Sequence, residues 1–443
     1  MKVDVFVIGA GAAGLTAARK VAEKGLKVLV AEKGSGATIQ SSGVIDVAGY
    51  SPSNGMFVSA SEGVRTIASK YKNHPYSLIG GGRKTEPDKR AQESEKIVRK
   101  ALDDFAGSMK SVGFNFMGSL DKNVLVTNFV GTFKPTCLCP STIYSGNLEN
   151  LDGSSIVFVG LKGFPDYDPK FCAQSFSDIV SRLEIKPKSV NHAYLDIPSL
   201  GERGDILAIE IARKMDDPEA LKSIGQNLQK VKSANHIAIP TAGFESPGEN
   251  IKSLSEVTGA DVFELISFPP SVPGFRLVKR LEKAAQEAGA SVRRGHKIVG
   301  VNCDKTVKSL KVEIGRKITE IEADAYILAS GSFLGGGLKE DCDFIKESIF
   351  NLPVYSGDGS SLEEVYLESL LSRDVFPKDG HKLFSSGIIV NEKLQPLTDE
   401  GEPIYGNLYA AGSILSGYNY MAEKSGMGVA IATGYLAGLN ASS

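Results

Sequence analysis

The chain has 443 residues, more than one ordinary core holds, so two domains are expected. Its hydrophobic share of 42% and charged share of 23% are those of a globular protein, and a formal net charge of −2 argues against nucleic acid or an anionic membrane as the main partner. No apolar run reaches the roughly 18 residues of a membrane-spanning helix.

The opening residues carry Lys2 and Asp4 inside a strand-like run, not a signal-peptide pattern, and the cysteines (Cys137, Cys139, Cys172, Cys303, Cys342) are too scattered for a disulfide framework. A cytoplasmic location is the resulting expectation, with any membrane contact made only through a partner.

Val3 to Ile8 reads as a short buried strand, followed by GAGAAG at Gly9 to Gly14. The next run, LTAARKVAEKG, places Leu15, Ala18, Val21 and Ala22 on one helical face and stops at Gly25. KVLVAEK at 27–33 is a second buried strand, which completes a βαβ unit. From about 60 to 105 the chain is polar and charged, and this composition predicts an exposed insertion. Strand-like runs at 154–160 and 235–240 flank an amphipathic helix at 204–215. A helix is predicted to start after the prolines of 269–273 and to run to Gly289. Two strands, SLKVEIG and KITEIEA, follow, then a separate buried strand, AYILASGS, at 325–332. NLYAAGS at 407–413 is one more strand, and Lys424 to Gly428 open a final helix. The expected fold class is α/β, a Rossmann-like dinucleotide-binding domain (1–64 and 271–443) interrupted by an inserted α/β cap domain (65–270).

Gly9-x-Gly11-x-x-Gly14 stands between a strand and a helix, where a dinucleotide fingerprint requires it. The first glycine makes the tight turn, the second admits a pyrophosphate, and the third lets helix and strand pack closely. Ala12 and Ala13 fill the motif, and the helix start offers free N–H groups to phosphate. Glu32, followed by Lys33, ends the second strand, where an acid takes ribose hydroxyls and disfavours a 2′-phosphate. The motif does not separate NAD from FAD, but the distant glycine-rich strands do. A flavin outgrows one βαβ unit and needs Ser330, Gly331, Gly412 and Ser413 at two further strand ends. It also needs Gly426, Met427 and Gly428 at a helix start, whose N–H groups suit the N1–C2=O edge. Ser41, Ser42 and Gly43 leave the second strand where a ring would lie. FAD is therefore expected; the alternative, FMN, comes only from the family resemblance that follows.

These residues together resemble the two-domain flavoproteins of the succinate dehydrogenase and fumarate reductase type. Closer still is the resemblance to the B-type subunits of anaerobic glycerol-3-phosphate dehydrogenases. It is carried by SSGVIDV (41–47), NFVGTFKPT (128–136), VGLKGFPDY (159–167), FPPSVPGFRL (268–277), LASGSFLGGGL (328–338), FSSGIIVNEKLQPL (384–397) and NLYAAGSILSGY (407–418). The resemblance implies a flavin protein in a complex that oxidises sn-glycerol 3-phosphate to dihydroxyacetone phosphate and passes electrons to a quinone. It also implies a catalytic A-type flavoprotein partner and an iron–sulfur C-type partner. The loop TIQSSG lacks the histidine that holds FAD covalently in succinate dehydrogenases, so a non-covalent flavin is expected. Ser413 stands where many relatives place an acid for the ribityl chain.

Alcohol oxidation needs a base and cations for the phosphate. Arg276, His192 and Arg203 are the catalytic candidates, and Thr132 and Lys134 could approach the ring or a substrate oxygen. His74, His236, His296 and His381 have no motif context. Cys137-x-Cys139 has no second pair at ligand spacing, so no metal site is expected. Two other readings stay open: an electron-transfer flavin protein with no substrate of its own, and a fumarate-reductase-like enzyme.

Overall fold

The computed structural model describes residues 1–51, 55–196, 203–231, 234–341, 344–363, 365–375, 377 and 380–443. Cys342 and residues 197–202, which flank the runs around His192 and Arg203, lie outside them. The chain forms two compact units: Met1–Thr38, Asp46–Gly113 and Val278–Ser443 in the first, Ile39–Ile45 and Phe114–Leu277 in the second.

The first unit begins with β1 (Lys2–Ile8), α1 (Ala12–Ala22) and β2 (Val28–Glu32), paired in parallel with Val5 opposite Val28 and Ile8 opposite Ala31. Every residue of β2 is buried, as a parallel strand covered on both faces requires. Three helices follow, α2 (Ala60–Lys70), α3 (Pro75–Ile79) and α4 (Pro87–Ser111). They replace the exposed insertion expected there, and residues 65–113 belong to the first unit, not to the insert. The reason lies in α4, where Ala91, Ser94, Val98, Ala101, Leu102, Phe105 and Met109 form one buried stripe under a charged outer face. Arg90 is buried with them. Its guanidinium donates to the carbonyls of Ala68, Ser69 and Thr85 at 2.7, 2.8 and 3.0 Å, and so satisfies the carbonyl end of α2.

The second unit is built on a parallel sheet. Its elements are β3 (Ser155–Leu161), α5 (Pro169–Val180), β4 (Ser189–Leu195), α6 (Ala208–Met215), α7 (Pro218–Leu228), β5 (His236–Ile239), α8 (Pro247–Thr258) and β6 (Asp261–Glu264). The strands lie in the order β6-β5-β3-β4, all parallel. Phe158, Phe176, Phe263, Ile156 and Leu265 are buried at its centre. Full burial of each such side chain is worth about 2 kcal/mol. Where β5 runs into α8, one carboxylate fills a cradle of donors. Asp216 accepts the N–H groups of Phe244, Glu245 and Ser246 at 2.8, 2.9 and 3.3 Å, and the Asn250 amide at 3.1 Å. Gly243, at φ +104°, makes the room: a Cβ there would stand 2.7 Å from an Asp216 carboxylate oxygen.

The helix α9 (Val272–Glu287) contains the boundary between the units. The chain then completes the first unit with β7 (Ser291–Arg294), β8 (His296–Cys303), β9 (Val307–Ile314), β10 (Lys317–Leu328), β11 (Leu408–Ala410) and α10 (Gly426–Ala441). The sheet order is β7-β2-β1-β10-β9-β8, with β11 also paired to β10. The two strands expected at KITEIEA and AYILASGS are one 12-residue strand. Its first half pairs antiparallel with β9 and its second half parallel with β11, so a single edge serves two partners.

The final helix is apolar all round, and its glycines explain how it fits. A Cβ on Gly434 would lie 2.4 Å from the Ala13 carbonyl oxygen, and one on Gly438 would lie 2.7 Å from that of Ala17. Backbone therefore rests on backbone between α10 and α1.

Candidate functional site

In the first unit the carboxyl ends of β2, β1, β10 and β11 deliver Glu32, Gly9, Ala329 and Gly412 to one edge of the sheet. The chain order reverses between β1 and its two neighbours, the point at which open parallel sheets take their ligands. Gly9 has φ +106°, donates its N–H to the Ala31 carbonyl at 2.9 Å, and would drive a Cβ to 2.3 Å from the Ala329 oxygen. Gly14 admits no side chain either, since its Cβ would lie 1.9 Å from the Gly9 oxygen. Only Gly11, the N-cap of α1, has a looser surrounding: the nearest atom to its Cβ is the Thr38 hydroxyl, at 3.2 Å. Two glycines are thus required by the protein itself, and the middle one keeps space beside the helix start.

Thr38 is a residue that no sequence motif singles out. Its hydroxyl accepts the Ala12 N–H at 3.1 Å, so it organises the first turn of α1. Ala12 and Ala13 are both buried. Glu32 is 8% exposed, and burial pushes its carboxyl above the usual range, against the pull of Arg294, whose Nε lies 3.4 Å away. Nothing in the sequence announces Arg294; it arrives because β7 pairs with β2 and sets Arg294 opposite Glu32. Lys33 is exposed.

The glycine loop after β10 is equally tight. Gly331 has φ +80°, and a Cβ on Gly337 would meet the Gly331 oxygen at 1.8 Å. The Ser330 hydroxyl is buried and has no hydrogen-bond partner among the described residues. Gly412 has φ +82°, donates to the Thr433 hydroxyl at 2.9 Å, and comes close enough that its Cβ would touch that of Ala13 at 2.8 Å. Ser413 follows it, half-buried. At the start of α10 the expected free N–H groups are fewer than the motif suggests. Gly428 donates to the Asp46 carbonyl at 2.7 Å, which leaves the first-turn groups of Gly426 and Met427. Gly428 serves instead to make room, since its Cβ would stand 2.4 Å from the Tyr76 hydroxyl.

Ser41, Ser42 and Gly43 belong to the second unit. Lys134 donates to the Ser42 hydroxyl at 2.6 Å, and Gly43, at φ +73°, is pressed against Pro273. Thr132 is committed to a turn, where its hydroxyl accepts from Asn128 at 2.7 Å.

The three catalytic candidates lie in the second unit and have different surroundings. Arg276 is 1% exposed and ion-paired with buried Glu264 at the end of β6. Glu264 also accepts from Thr142 at 3.0 Å and from the Ala242 N–H at 2.9 Å, while Nε and Nη1 of Arg276 have no partner among the described residues. His192 is exposed on β4, at the opposite edge of the sheet. Three strand spacings separate the two edges, roughly 14 Å. Arg203 is an exposed side chain paired with Asp205 and Glu210. The structure therefore does not gather His192 and Arg276 into one constellation.

Of the histidines without motif context, His296 lies beside the carbonyl of Arg294 and His381 beside that of Val375, and burial lowers the pKa of His236. His74 differs. It is 1% exposed and its Nε2 lies 3.1 Å from the carboxylate of Glu423. Among the described residues no group of His, Cys, Asp and Glu could hold a metal ion, and no helix is long and apolar enough to cross a membrane.

The glycine cradle, the buried acid at the end of β2 and the orphaned Ser330 hydroxyl fit a dinucleotide whose pyrophosphate crosses the start of α1. Comparison with known proteins places the chain among FAD-binding proteins. The sequence model of the family described as FAD binding domain matches residues 4–429. The B-type component of anaerobic glycerol-3-phosphate dehydrogenase from Aliivibrio fischeri is 27% identical over 453 residues, covering 98% of this chain and 94% of that protein. Its probable counterpart from Halobacterium salinarum is 28% identical, covering 98% and 96%. Among solved structures, 3-ketosteroid delta1-dehydrogenase from Sterolibacterium denitrificans is 10% identical with a TM-score of 0.45, covering 100% of this chain and 99% of that one.

Proposed function

Because the chain belongs to the FAD binding domain family, we propose that it is the flavin-carrying B-type component of a glycerol-3-phosphate dehydrogenase. In this reading the complex oxidises sn-glycerol 3-phosphate to dihydroxyacetone phosphate and sends the electrons towards a quinone. The observation that carries the reading is similarity to B-type components along nearly the whole of both chains. Bound FAD supplies the two-electron acceptor. The protein's part is to hold and shield it. Gly9, Gly11 and Gly14 would admit the pyrophosphate to the start of α1, and Glu32 would accept the ribose hydroxyls. Ser330, with its unused hydroxyl, and Gly331, Gly412 and Ser413 would line the ribityl side. Gly426 and Met427 would turn the positive end of α10 to the ring edge where negative charge accumulates on reduction. Partner proteins are implied because the relatives are each named as one component of a larger enzyme, and we assign those partners the A-type and C-type roles.

A second reading is favoured by one observation. The base candidate His192 and the buried cation Arg276 stand at opposite edges of a sheet. A chain that only relays electrons has no need to bring them together. Anaerobic titration of the purified FAD-loaded chain with glycerol 3-phosphate separates the readings. Bleaching of the flavin without partners supports an own substrate. Bleaching only when a catalytic partner is added supports the relay. A chain that takes up no flavin refutes both.

A further inference from the structure

His74 sits where a short helix begins, and both of its ring nitrogens are engaged. Nδ1 accepts the Tyr76 N–H at 3.0 Å, as an N-cap does for α3. A ring nitrogen that accepts carries no proton, so the proton of this imidazole lies on Nε2 and is directed at Glu423, 3.1 Å away. Glu423 is 7% exposed and uses both oxygens: one accepts the Asn419 N–H at 2.9 Å, the other the Ser425 hydroxyl at 2.9 Å. Its backbone carbonyl accepts the N–H groups of Gly49 and Tyr50, both at 2.9 Å. Ser425 is the N-cap residue of α10 and is fully buried. Tyr76 closes the arrangement. Its hydroxyl donates to the Val47 carbonyl at 2.7 Å and lies against Gly428. One histidine thereby ties three segments, 46–50, 74–76 and 419–428, to the first turn of one helix.

We propose that His74 is a positioning residue whose Nε2–H holds the Glu423 carboxylate against the start of α10, so that the pair sets both the place and the electrostatic strength of that helix terminus. The inference rests on the reading that puts α10 at the flavin edge. A helix N-terminus carries about half a positive charge, and a buried carboxylate next to it offsets part of that field. Glu423→Gln removes the charge and keeps the side-chain volume; its oxygen can still accept from His74 and Ser425, while its amide nitrogen gives up the bond to the Asn419 N–H. The helix end becomes more positive, the electron-rich form of the flavin gains, and the midpoint potential rises.

The test is redox equilibration of the FAD-loaded chain against a reference dye, with the visible spectrum and urea stability recorded beside it. Glu423→Gln is expected to shift the reduced-to-oxidised ratio by about 3- to 10-fold towards reduction, inside the roughly 2- to 30-fold that interactions with a helix terminus span. His74→Gln, which keeps a donor at the Nε2 position, should remain within about twofold of wild type, since the bond to Glu423 survives. His74→Asn keeps only the acceptor that caps α3, and should move the ratio and perturb the flavin bands. A merely structural histidine would lower urea stability in both His74 variants and leave the dye ratio unmoved, and that result overturns the inference. If His74→Asn does not fold, Glu423→Gln decides alone: an unmoved ratio sinks the proposal. A wild-type chain that binds no FAD defeats the functional reading itself. A chain that binds FAD normally but ignores Glu423→Gln defeats only this inference.

Discussion

Replacement of Gly434 by alanine tests the claim that α1 and α10 meet backbone to backbone. The new Cβ would lie 2.4 Å from the Ala13 oxygen and 3.0 Å from its carbonyl carbon and Cα. These are main-chain atoms of a buried helix, so no side chain can rotate out of the way, and one helix must shift by several tenths of an ångström. Overpacking of this kind costs about 3 kcal/mol, while a Gly-to-Ala change in a helix interior returns about 1 kcal/mol, for a net loss of about 2 kcal/mol. Gly107 in α4 is the control, because nothing lies within 4 Å of its added Cβ. Gly107→Ala should stabilise by about 0.5–1 kcal/mol through the chain entropy term alone. Urea denaturation followed by circular dichroism and flavin release measures both variants. Equal midpoints for Gly434→Ala and Gly107→Ala would refute the packing argument. The same clash also falls beside the GxGxxG turn, so FAD affinity should drop with Gly434→Ala and hold with Gly107→Ala.

Burial pushes the Glu347 carboxyl up to about 7, in spite of N–H groups donated by Phe350 and Ile349. The folded chain therefore keeps this proton longer than the unfolded chain does. The stabilisation is complete below the ordinary value of 4.5 and is lost as pH rises through about 7. The stability difference between wild type and Glu347→Gln should change by about 3 kcal/mol across that window, and a difference independent of pH would count against the assignment. Asp216→Ala leaves the donors of Phe244, Glu245, Ser246 and Asn250 without their shared acceptor. It should cost about 2–4 kcal/mol in the second unit, read as an earlier urea transition of that unit; an unchanged transition would show that water replaces the carboxylate without loss.

The motif at Gly9, Gly11 and Gly14 is legible because its chemistry is local: three glycines, a strand before and a helix after. Glu32 is legible for the same reason, at a strand end. Arg294 beside it is not, since only the pairing of β7 with β2 brings it there. The stripe Ala91, Ser94, Val98, Ala101, Leu102, Phe105 and Met109 has helical spacing that a sequence displays. Charged neighbours and a buried Arg90 hide it behind a composition that looks exposed. The long strand β10 reads as two because its halves face different partners, and a sequence shows no partners. His74 carries a local signal, a capping residue directly before Pro75. Its tie to Glu423, 349 positions away, comes only from the fold.

The carboxylate of Asp216 has a consequence for what the turn between β5 and α8 can hold. A parallel sheet followed by a helix commonly offers a seat for phosphate, and each of the two units contains parallel strands that lead into helices. At the turn from β5 to α8 in the second, an amino acid of the protein already sits in that seat, so an incoming anion there would first have to evict a tethered competitor that never diffuses away. The donors of that turn are thereby spent on the chain itself.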